Sequence, residues 1–285
     1  MPLNDGSMSA RSMSVRFWGV RGSVSCPGPD TVRYGGNTAC VEIRCGDHVL
    51  VFDAGTGIRS LGQTLVQAAT TTELDIFLSH CHIDHVVGLP FFAPLFVKDQ
   101  VVRVWAGNLK PSCGVENAIG KMMSFPLFPL QAEDLPARIE FRDFCAGETF
   151  NPRPGITLRT APLNHPGGAT GYRIEYGGRS VAYLTDTDLG DGPIDPKLLA
   201  LAKDAALVIL DTTYTDKELP SHVGWGHSSW QQGTRLASAA GAASRLCLFH
   251  HDPDHDDAFM DSIAAAAKAA RPGTIVAQEG LQVDL

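Results

Sequence analysis

Short apolar runs alternate with longer amphipathic stretches along most of the chain. Short apolar runs bounded by turn residues are typical of buried strands, and apolar positions repeated every three or four residues indicate helices. The pattern predicts strands over residues 40–45, 48–52, 74–78, 101–106, 156–163, 180–185, 207–210, 245–249, 274–277 and 281–285. It predicts helices over residues 58–69, 196–206, 228–243 and 257–270. Strands and helices that alternate in this way indicate an α/β protein.

The segment after the predicted strand at residues 74–78 concentrates metal-binding side chains. His80, His82, Asp84 and His85 fall within six residues of a chain that has ten histidines in all. A loop lets several side chains converge on one point, which a straight strand with alternating faces does not. Imidazole and carboxylate without thiolate suit zinc, manganese or iron. The alternative is a polar loop whose histidines face solvent.

Further candidate ligands stand at the ends of later predicted strands. These residues are His165, Asp186 and the adjacent pair His250 and His251, and another predicted strand ends at Asp211. Strand ends that meet at one edge of a sheet are where α/β folds place their sites. We therefore expect these side chains to approach the histidine-rich loop.

The motif His80-x-His82-x-Asp84-His85 is the H-x-H-x-D-H signature of the metallo-β-lactamase fold superfamily, which the chain resembles over roughly residues 15–285. The resemblance implies a four-layer αββα sandwich with two divalent ions, zinc first and manganese or iron as alternatives. Matched by order, the ligands are His80, His82 and His165 for the first ion, Asp84, His85 and His250 for the second, and Asp186 with a hydroxide as the bridge. His250 is preferred to His251 because of the strand phase and the family's Leu-x-Leu-x-His ending.

The segment Gly226-His227-Ser228-Ser229 resembles the Gly-His-Ser-Thr segment of ribonuclease Z and its smaller phosphodiesterase relatives. This resemblance implies that His227 protonates the leaving group and that Asp211 orients it, with Asp84 as a further catalytic residue. The alternative for His227 is a neighbour of a helix N-cap. Arg21 and Arg33, in a glycine-rich loop, are candidates for binding phosphate oxygens, although each taken singly also fits a surface arginine.

Several residues keep two interpretations. Asp53 either lies beneath the metal site, as the resemblance implies, or is a turn residue. Residues 111–145 are predicted to be irregular, and their apolar side chains either line a pocket or fill the core over a sheet edge. His222 is predicted to lie at the surface without a partner, and the Cys81 side chain is expected to point away from the ligands.

The composition of the chain indicates its domain organisation, its cellular location and its partners. The 285 residues, 44% of them hydrophobic, predict one domain over residues 15–285 after a disordered tail over residues 1–14. No apolar run is long enough to span a bilayer. Seven cysteines without a CxxC pair favour reduced thiols in the cytoplasm. The net charge of −8 disfavours a long polyanion as the partner, and a homodimer is an open alternative to a monomer.

The predicted function is hydrolysis of a small cyclic or linear phosphodiester by the hydroxide that bridges the two ions. Ribonuclease Z inserts a long tRNA-gripping arm between its fifth ligand and its bridging aspartate. Only 20 residues separate His165 from Asp186 here, so a precursor tRNA is not the expected substrate. A lactonase or thioesterase with the same ions is the alternative enzyme. A binding or sensor protein that has kept its ligands is the third hypothesis.

Overall fold

Two seven-stranded β-sheets pack face to face at the centre of the molecule. The structure is a computed structural model that describes residues 12–68, 73–241 and 245–285. In these ranges the strands are β1 (Met13–Gly19), β2 (Cys40–Cys45), β3 (His48–Phe52), β4 (Glu73–Leu78), β5 (Val101–Ala106), β6 (Arg138–Asp143), β7 (Thr149–Arg153), β8 (Ile156–Leu163), β9 (Ala169–Tyr176), β10 (Arg179–Leu184), β11 (Leu207–Asp211), β12 (Arg245–Phe249), β13 (Ile275–Val276) and β14 (Gln282–Asp284). The α-helices are α1 (Ile58–Ala68), α2 (Ile83–Val86), α3 (Val115–Met122), α4 (Pro196–Ala202), α5 (Trp230–Ala240) and α6 (Asp257–Ala270).

Parallel strands dominate one half of each sheet. The first sheet has the strand order β14-β1-β2-β3-β4-β5-β6, and the second has the order β13-β12-β11-β10-β9-β8-β7. Strands β3 to β6 are parallel to one another, as are β10 to β13. Parallel neighbours bring their carboxyl ends to the same sheet edge, so the loops that leave this edge can form one site. The antiparallel β9–β10 hairpin turns at Gly177 and Gly178.

Alternation of side chains along the strands separates the apolar layers. In β3, Leu50 and Phe52 point between the sheets, whereas Val49 and Val51 pack with α1 on the outer face. Helices α4, α5 and α6 cover the outer face of the second sheet. Full burial of a side chain such as Phe52 stabilises the fold by about 1.5–3 kcal/mol. The predicted four-layer αββα sandwich is confirmed.

The predicted elements need two corrections. Residues 111–145, predicted to be irregular, contain α3 and the edge strand β6. The helix predicted over residues 196–206 ends at Ala202, because the backbone at Lys203 is extended. The predicted disordered tail falls mostly outside the described residues, and β1 begins at Met13. No helix of the described chain is both long enough and apolar enough to cross a membrane.

Candidate metal centre

Loops at the carboxyl edges of both sheets bring the seven predicted ligands together. The segment after β4 carries four of them, and the loops after β8, β10 and β12 carry the other three. They fall into three overlapping groups, in each of which the possible ligand atoms lie within 4.8 Å of one another. The groups are His80, His82 and His165; Asp84, His85 and His250; and His80, His85 and Asp186.

Asp186 lies between the first two groups. Its Oδ1 is 3.8 Å from Nε2 of His80 and 3.7 Å from Nε2 of His165. Its Oδ2 is 3.2 Å from Nε2 of His85 and 3.3 Å from Nε2 of His250. Each carboxylate oxygen therefore faces one of the two groups, as a shared ligand requires.

The atoms within each group are close enough to bind a common ion. Nε2 of His85 and Nε2 of His250 are 3.3 Å apart, and they lie 3.2 Å and 3.4 Å from Oδ2 of Asp84. Nε2 of His165 is 3.1 Å from Nδ1 of His82. Imidazole nitrogens and carboxylate oxygens that converge in this way are the donor set of divalent zinc, manganese and iron.

In four of these histidines, the ring nitrogen on the side away from the centre contacts a neighbouring polar group. The contacts are Nδ1 of His80 with Ser79 Oγ at 3.0 Å, Nδ1 of His85 with Asp53 Oδ2 at 2.9 Å, Nδ1 of His165 with the Gly226 carbonyl at 2.9 Å and Nδ1 of His250 with Thr213 Oγ1 at 3.1 Å. Such contacts orient imidazoles that bind metal. Nε2 of His80 is buried without a hydrogen-bond partner among the described residues, which is costly unless a ligand occupies it. The donor set therefore fits divalent metal ions.

The charge balance of the centre favours a cation. Burial lowers the pKa of His80 and of His165, so both rings are neutral and have a free lone pair at neutral pH. Burial also acts to lower the pKa of His85, but nearby carboxylates, led by that of Asp186, hold it well above its usual value. The histidines around Asp186 overcome the effect of burial and lower the pKa of its carboxyl group. Carboxylates that stabilise a proton on His85 also stabilise a metal ion in its place.

Asp53 supports the centre from the adjacent strand end. The fully buried carboxylate accepts hydrogen bonds from the Ser79 amide over 2.7 Å, from Nδ1 of His85 over 2.9 Å and from the Tyr183 hydroxyl over 2.7 Å. Of the two interpretations that the sequence left open, the position beneath the site agrees with these contacts.

Three residues of the centre have an uncommon backbone conformation. The φ angles are 61° at Asp53, 56° at Asp186 and 62° at His250. These values lie in the left-handed region, which residues other than glycine adopt rarely and at a cost. The sharp turn at each strand end directs the side chain into the centre.

Asp211 and His227 form a pair beside the ligand groups. Nδ1 of His227 donates to Oδ2 of Asp211 over 2.8 Å, and the amides of Thr187 and Thr213 donate to the same carboxylate over 3.1 Å each. The His227 ring centroid is 5.0 Å from that of His250. Burial acts to lower the pKa of His227, but the Asp211 carboxylate raises it to about 9, so this ring can donate a proton at neutral pH.

Neither arginine predicted to bind phosphate reaches the centre. Arg21 is fully buried, which also excludes the surface alternative. Its guanidinium donates to three backbone carbonyls over 2.7–2.8 Å, those of Gly35, Asp252 and His255. Arg33 binds Asp261 of α6 through two hydrogen bonds of 2.9 Å and 2.7 Å at the surface, in agreement with its alternative. Both predictions of phosphate binding are therefore corrected.

The structure also separates the two adjacent histidines. His250 joins the ligand group, whereas His251 is buried elsewhere, with its Nε2 2.9 Å from the Ala277 carbonyl. His222 is not an unpartnered surface residue, because its ring stacks on Tyr214 with centroids 4.2 Å apart. Cys81 packs into the outer core, as expected.

The apolar residues of segment 111–145 divide between the predicted core environment and the exposed surface. Met123 is buried in the outer core, where Met122 and Phe128 pack against it, in agreement with core filling. Phe125 is 92% exposed and lies outside the core.

Three residues that support the centre were not found from the sequence. Ser79 directly precedes the histidine motif, and Thr213 follows Asp211 by two positions, so their places beside predicted site residues were an available signal. Ser23 donates its backbone amide to Oδ2 of Asp84 over 2.8 Å. A backbone contact of this kind leaves no pattern of residue types.

An αββα sandwich with imidazole and carboxylate groups converging at its strand ends defines a metal-dependent hydrolase. Residues 48–251 match the β-lactamase superfamily domain, and the chain belongs to this superfamily, in the branch of ribonuclease Z. Ribonuclease BN of Enterobacter sp. (strain 638) is 25% identical over 288 residues, which cover 82% of this chain and 88% of the relative. Ribonuclease Z of Bradyrhizobium sp. (strain ORS 278) is 26% identical over 286 residues, covering 83% and 90%.

The crystal structure of the metallo-β-lactamase fold protein YhfI from Bacillus subtilis has the same fold. The superposition has a TM-score of 0.72 with 19% sequence identity, and it covers 96% of this chain and 100% of that chain.

Proposed function

We propose that the protein is a dinuclear metal-dependent phosphodiesterase whose substrate is a small cyclic or linear phosphodiester. The assigned ligands are His80, His82 and His165 for one ion, Asp84, His85 and His250 for the other, and Asp186 for both. The contacts of the two Asp186 oxygens with the separate groups support the shared position. Zinc is the first candidate, and manganese and iron accept the same donors.

Protein groups around the ions would position the substrate and move the proton. Two divalent ions held by these ligands would supply a water molecule of lowered pKa and would polarise the phosphoryl oxygens. Asp84 and Asp186 offset the positive charge, and Ser23 holds Asp84 in place. His227 donates its proton to the departing oxygen, while Asp211 stabilises the imidazolium through Nδ1.

The His227–Asp211 pair is the observation that carries this proposal. An alkoxide leaves a phosphodiester readily only if it takes up a proton, whereas the thiolate that a thioesterase releases departs without one. A lactonase with the same ions is distinguished by the substrate test. His227 also has metal-ligand spacing to other residues, including Asp186. Because Nδ1 of His227 is 2.8 Å from Asp211 and 4.0 Å from Asp186, the contacts support a proton donor outside the ligand set.

Charge and topology support a small substrate. The chain between His165 and Asp186 contains the simple β9–β10 hairpin, and the net charge is −8. Arg21 and Arg33 are engaged elsewhere, so the N-terminal loop does not supply the cations that a long polyanion needs. An RNA end is the competing substrate, because the similar proteins are named ribonucleases. All seven cysteines are free thiols, in agreement with the predicted cytoplasmic location.

The test compares substrates and leaving groups. Purified protein of measured metal content is assayed on bis-p-nitrophenyl phosphate, a cyclic nucleotide, an unstructured RNA and an acyl lactone. We expect hydrolysis of the two small phosphodiesters. His227→Ala should retain its metal and lose about 10²–10⁴-fold in rate on the cyclic nucleotide. It should lose far less on the p-nitrophenyl ester, whose leaving group departs without a proton.

The half-buried His48, at the start of β3 and away from the site edge, provides the matched control His48→Ala. Equal losses on both esters would make His227 a binding residue, and loss of metal would make it a ligand. Hydrolysis of the lactone alone would overturn the proposed function.

A further inference from the structure

A cavity of about 340 Å³ lies beside His227, away from the proposed ligands. It is enclosed by the loop after β10, by α5 and by the segment between β11 and α5. Its wall includes Asp188, Asp191, Asp216, His222, His227 and Arg235. The volume is at the lower end of the range of about 300–1,000 Å³ that small-molecule pockets cover.

His227 connects this cavity to the metal centre. Its side chain is nine-tenths buried, and Nδ1 is engaged by Asp211. No group of the described residues forms a hydrogen bond with Nε2, on the opposite side of the ring. Because His227 is among the residues that line the cavity, a group whose atom takes a proton from His227 lies at the edge of the cavity.

Carboxylates determine the chemistry of the cavity wall. Arg235 is the one arginine or lysine among the described lining residues, and its Nη1 is 3.8 Å from Oδ2 of Asp216. The ring of His227 is paired with Asp211. Asp188 uses Oδ1 to accept the Gly190 amide over 2.8 Å, and no ion pair joins Asp188 or Asp191 to a described cation. The negative charges of Asp188 and Asp191 are therefore not neutralised by an ion pair with a described cation. Ionised carboxylates accept hydrogen bonds from O–H and N–H groups and repel phosphate.

We propose that this cavity is the leaving-group subsite, and that it selects an uncharged leaving alcohol with hydroxyl or amino donors over one that carries a second phosphate. The inference rests on the proposed phosphodiesterase function. In the reaction, the P–O bond to the leaving alcohol breaks and a P–O bond to the oxygen of water forms. The leaving oxygen takes the proton of His227, and the water releases one proton.

Two substrates that differ by one phosphate test the subsite. Adenosine 5′-(methyl phosphate) is compared with the same compound phosphorylated at O3′, and release of methyl phosphate reports departure of the nucleoside. In the wild type, we expect kcat/KM for the phosphorylated compound to be lower by about tenfold or more, because of repulsion by Asp188 and Asp191. A glycerol methyl phosphate arm separates the contribution of a base from that of hydroxyl groups.

Removing one carboxylate from the wall should weaken the discrimination. Asp191→Asn keeps the shape of the side chain and should reduce the ratio of the two kcat/KM values by about threefold or more. Asp30→Asn, an exposed position in the N-terminal loop, makes the same change in net charge and should leave the ratio unchanged.

Each result decides between the two proposals. Equal kcat/KM values in the wild type, or an unchanged ratio in Asp191→Asn, would overturn the subsite while leaving the phosphodiesterase intact. Hydrolysis of bis-p-nitrophenyl phosphate without hydrolysis of either nucleoside ester would also overturn the subsite and leave the phosphodiesterase proposal intact. Failure on every phosphodiester, with both ions bound, would overturn the function itself.

Discussion

Gly22 lies against the imidazole ring of His250, so that a Cβ atom on Gly22 would be 2.3 Å from Cε1 of the ring. Two backbone hydrogen bonds with His251, of 2.9 Å and 3.0 Å, hold the chain in this position. The next residue, Ser23, donates its amide to Asp84. The N-terminal loop therefore fixes two side chains of the second ligand group at once.

Gly22→Ala should displace His250 and lower the metal content from about two ions per chain to about one. Elemental analysis of the folded protein, with thermal unfolding as a check, measures the effect. Gly28→Ala is the matched control, because no atom lies within 4 Å of its added Cβ and its extended φ of −171° suits any residue. Full metal content in Gly22→Ala would show that His250 adjusts freely or is not a ligand.

Asp186→Ala should lose most of both ions, since Asp186 is the proposed ligand that they share. The left-handed backbone at Asp186 disfavours alanine. Asp186→Asn is therefore the second variant, because asparagine tolerates this conformation and removes only the charge. Both should bind fewer ions by elemental analysis, with circular dichroism confirming the fold. Retention of two ions by both variants contradicts the bridging position.

His250→Asn and His251→Ala should have different consequences. The first variant keeps a residue that tolerates left-handed backbone and should lose the second ion and most of the activity. The second should keep both ions but unfold more easily, by about 1–3 kcal/mol, because it leaves the buried Ala277 carbonyl without its partner. Metal analysis and urea unfolding separate the two effects. The opposite ranking in metal content would move the ligand to His251.

Glu73 should stabilise the protein only above acidic pH. Hydrogen bonds from Arg103 and Arg153 lower its pKa to about 2, from an ordinary value of 4.5. Because the pKa is lower in the folded state, the stabilisation is complete above pH 4.5 and is lost as the pH falls towards 2. The side chain is 42% exposed, so solvent screening limits the effect to about 0–1 kcal/mol.

Glu73→Gln should therefore be slightly less stable than the wild type at neutral pH, and the difference should shrink in acid and in high salt. Urea unfolding of both proteins in chelator measures it, with the exposed Glu116→Gln as the control. A difference that grows as the pH falls would contradict the assignment.

Local patterns in the sequence predicted an α/β fold with candidate ligands at strand ends, and the resemblance to the superfamily implied the αββα sandwich and the assignment of the ligands. Apolar runs determine the strands, and a histidine or aspartate directly after such a run lies at the sheet edge. His165 and His250 could be found in this way although they are 85 residues apart.

Contacts between distant loops could not be predicted in the same manner. The partners of Arg21 are backbone carbonyls. Two of these carbonyls belong to Asp252 and His255, which are more than 230 positions away in the chain. No residue type marks a carbonyl as a partner, so a buried arginine and a phosphate-binding arginine have the same sequence signal. Helix α3 was missed because it has only 8 residues, of which Val115 and Ile119 are buried.

The left-handed turns at Asp53, Asp186 and His250 have a consequence for engineering. Strain of this kind costs about 1–3 kcal/mol per residue, and a glycine at any of the three positions would release it. A selection for heat resistance on the metal-free protein is therefore expected to enrich glycine at Asp186 and His250, whereas glycine at Asp53 would leave the buried partners of its carboxylate without hydrogen bonds. Each such gain would be made at the expense of turnover, so a thermostability library should hold all three residues fixed.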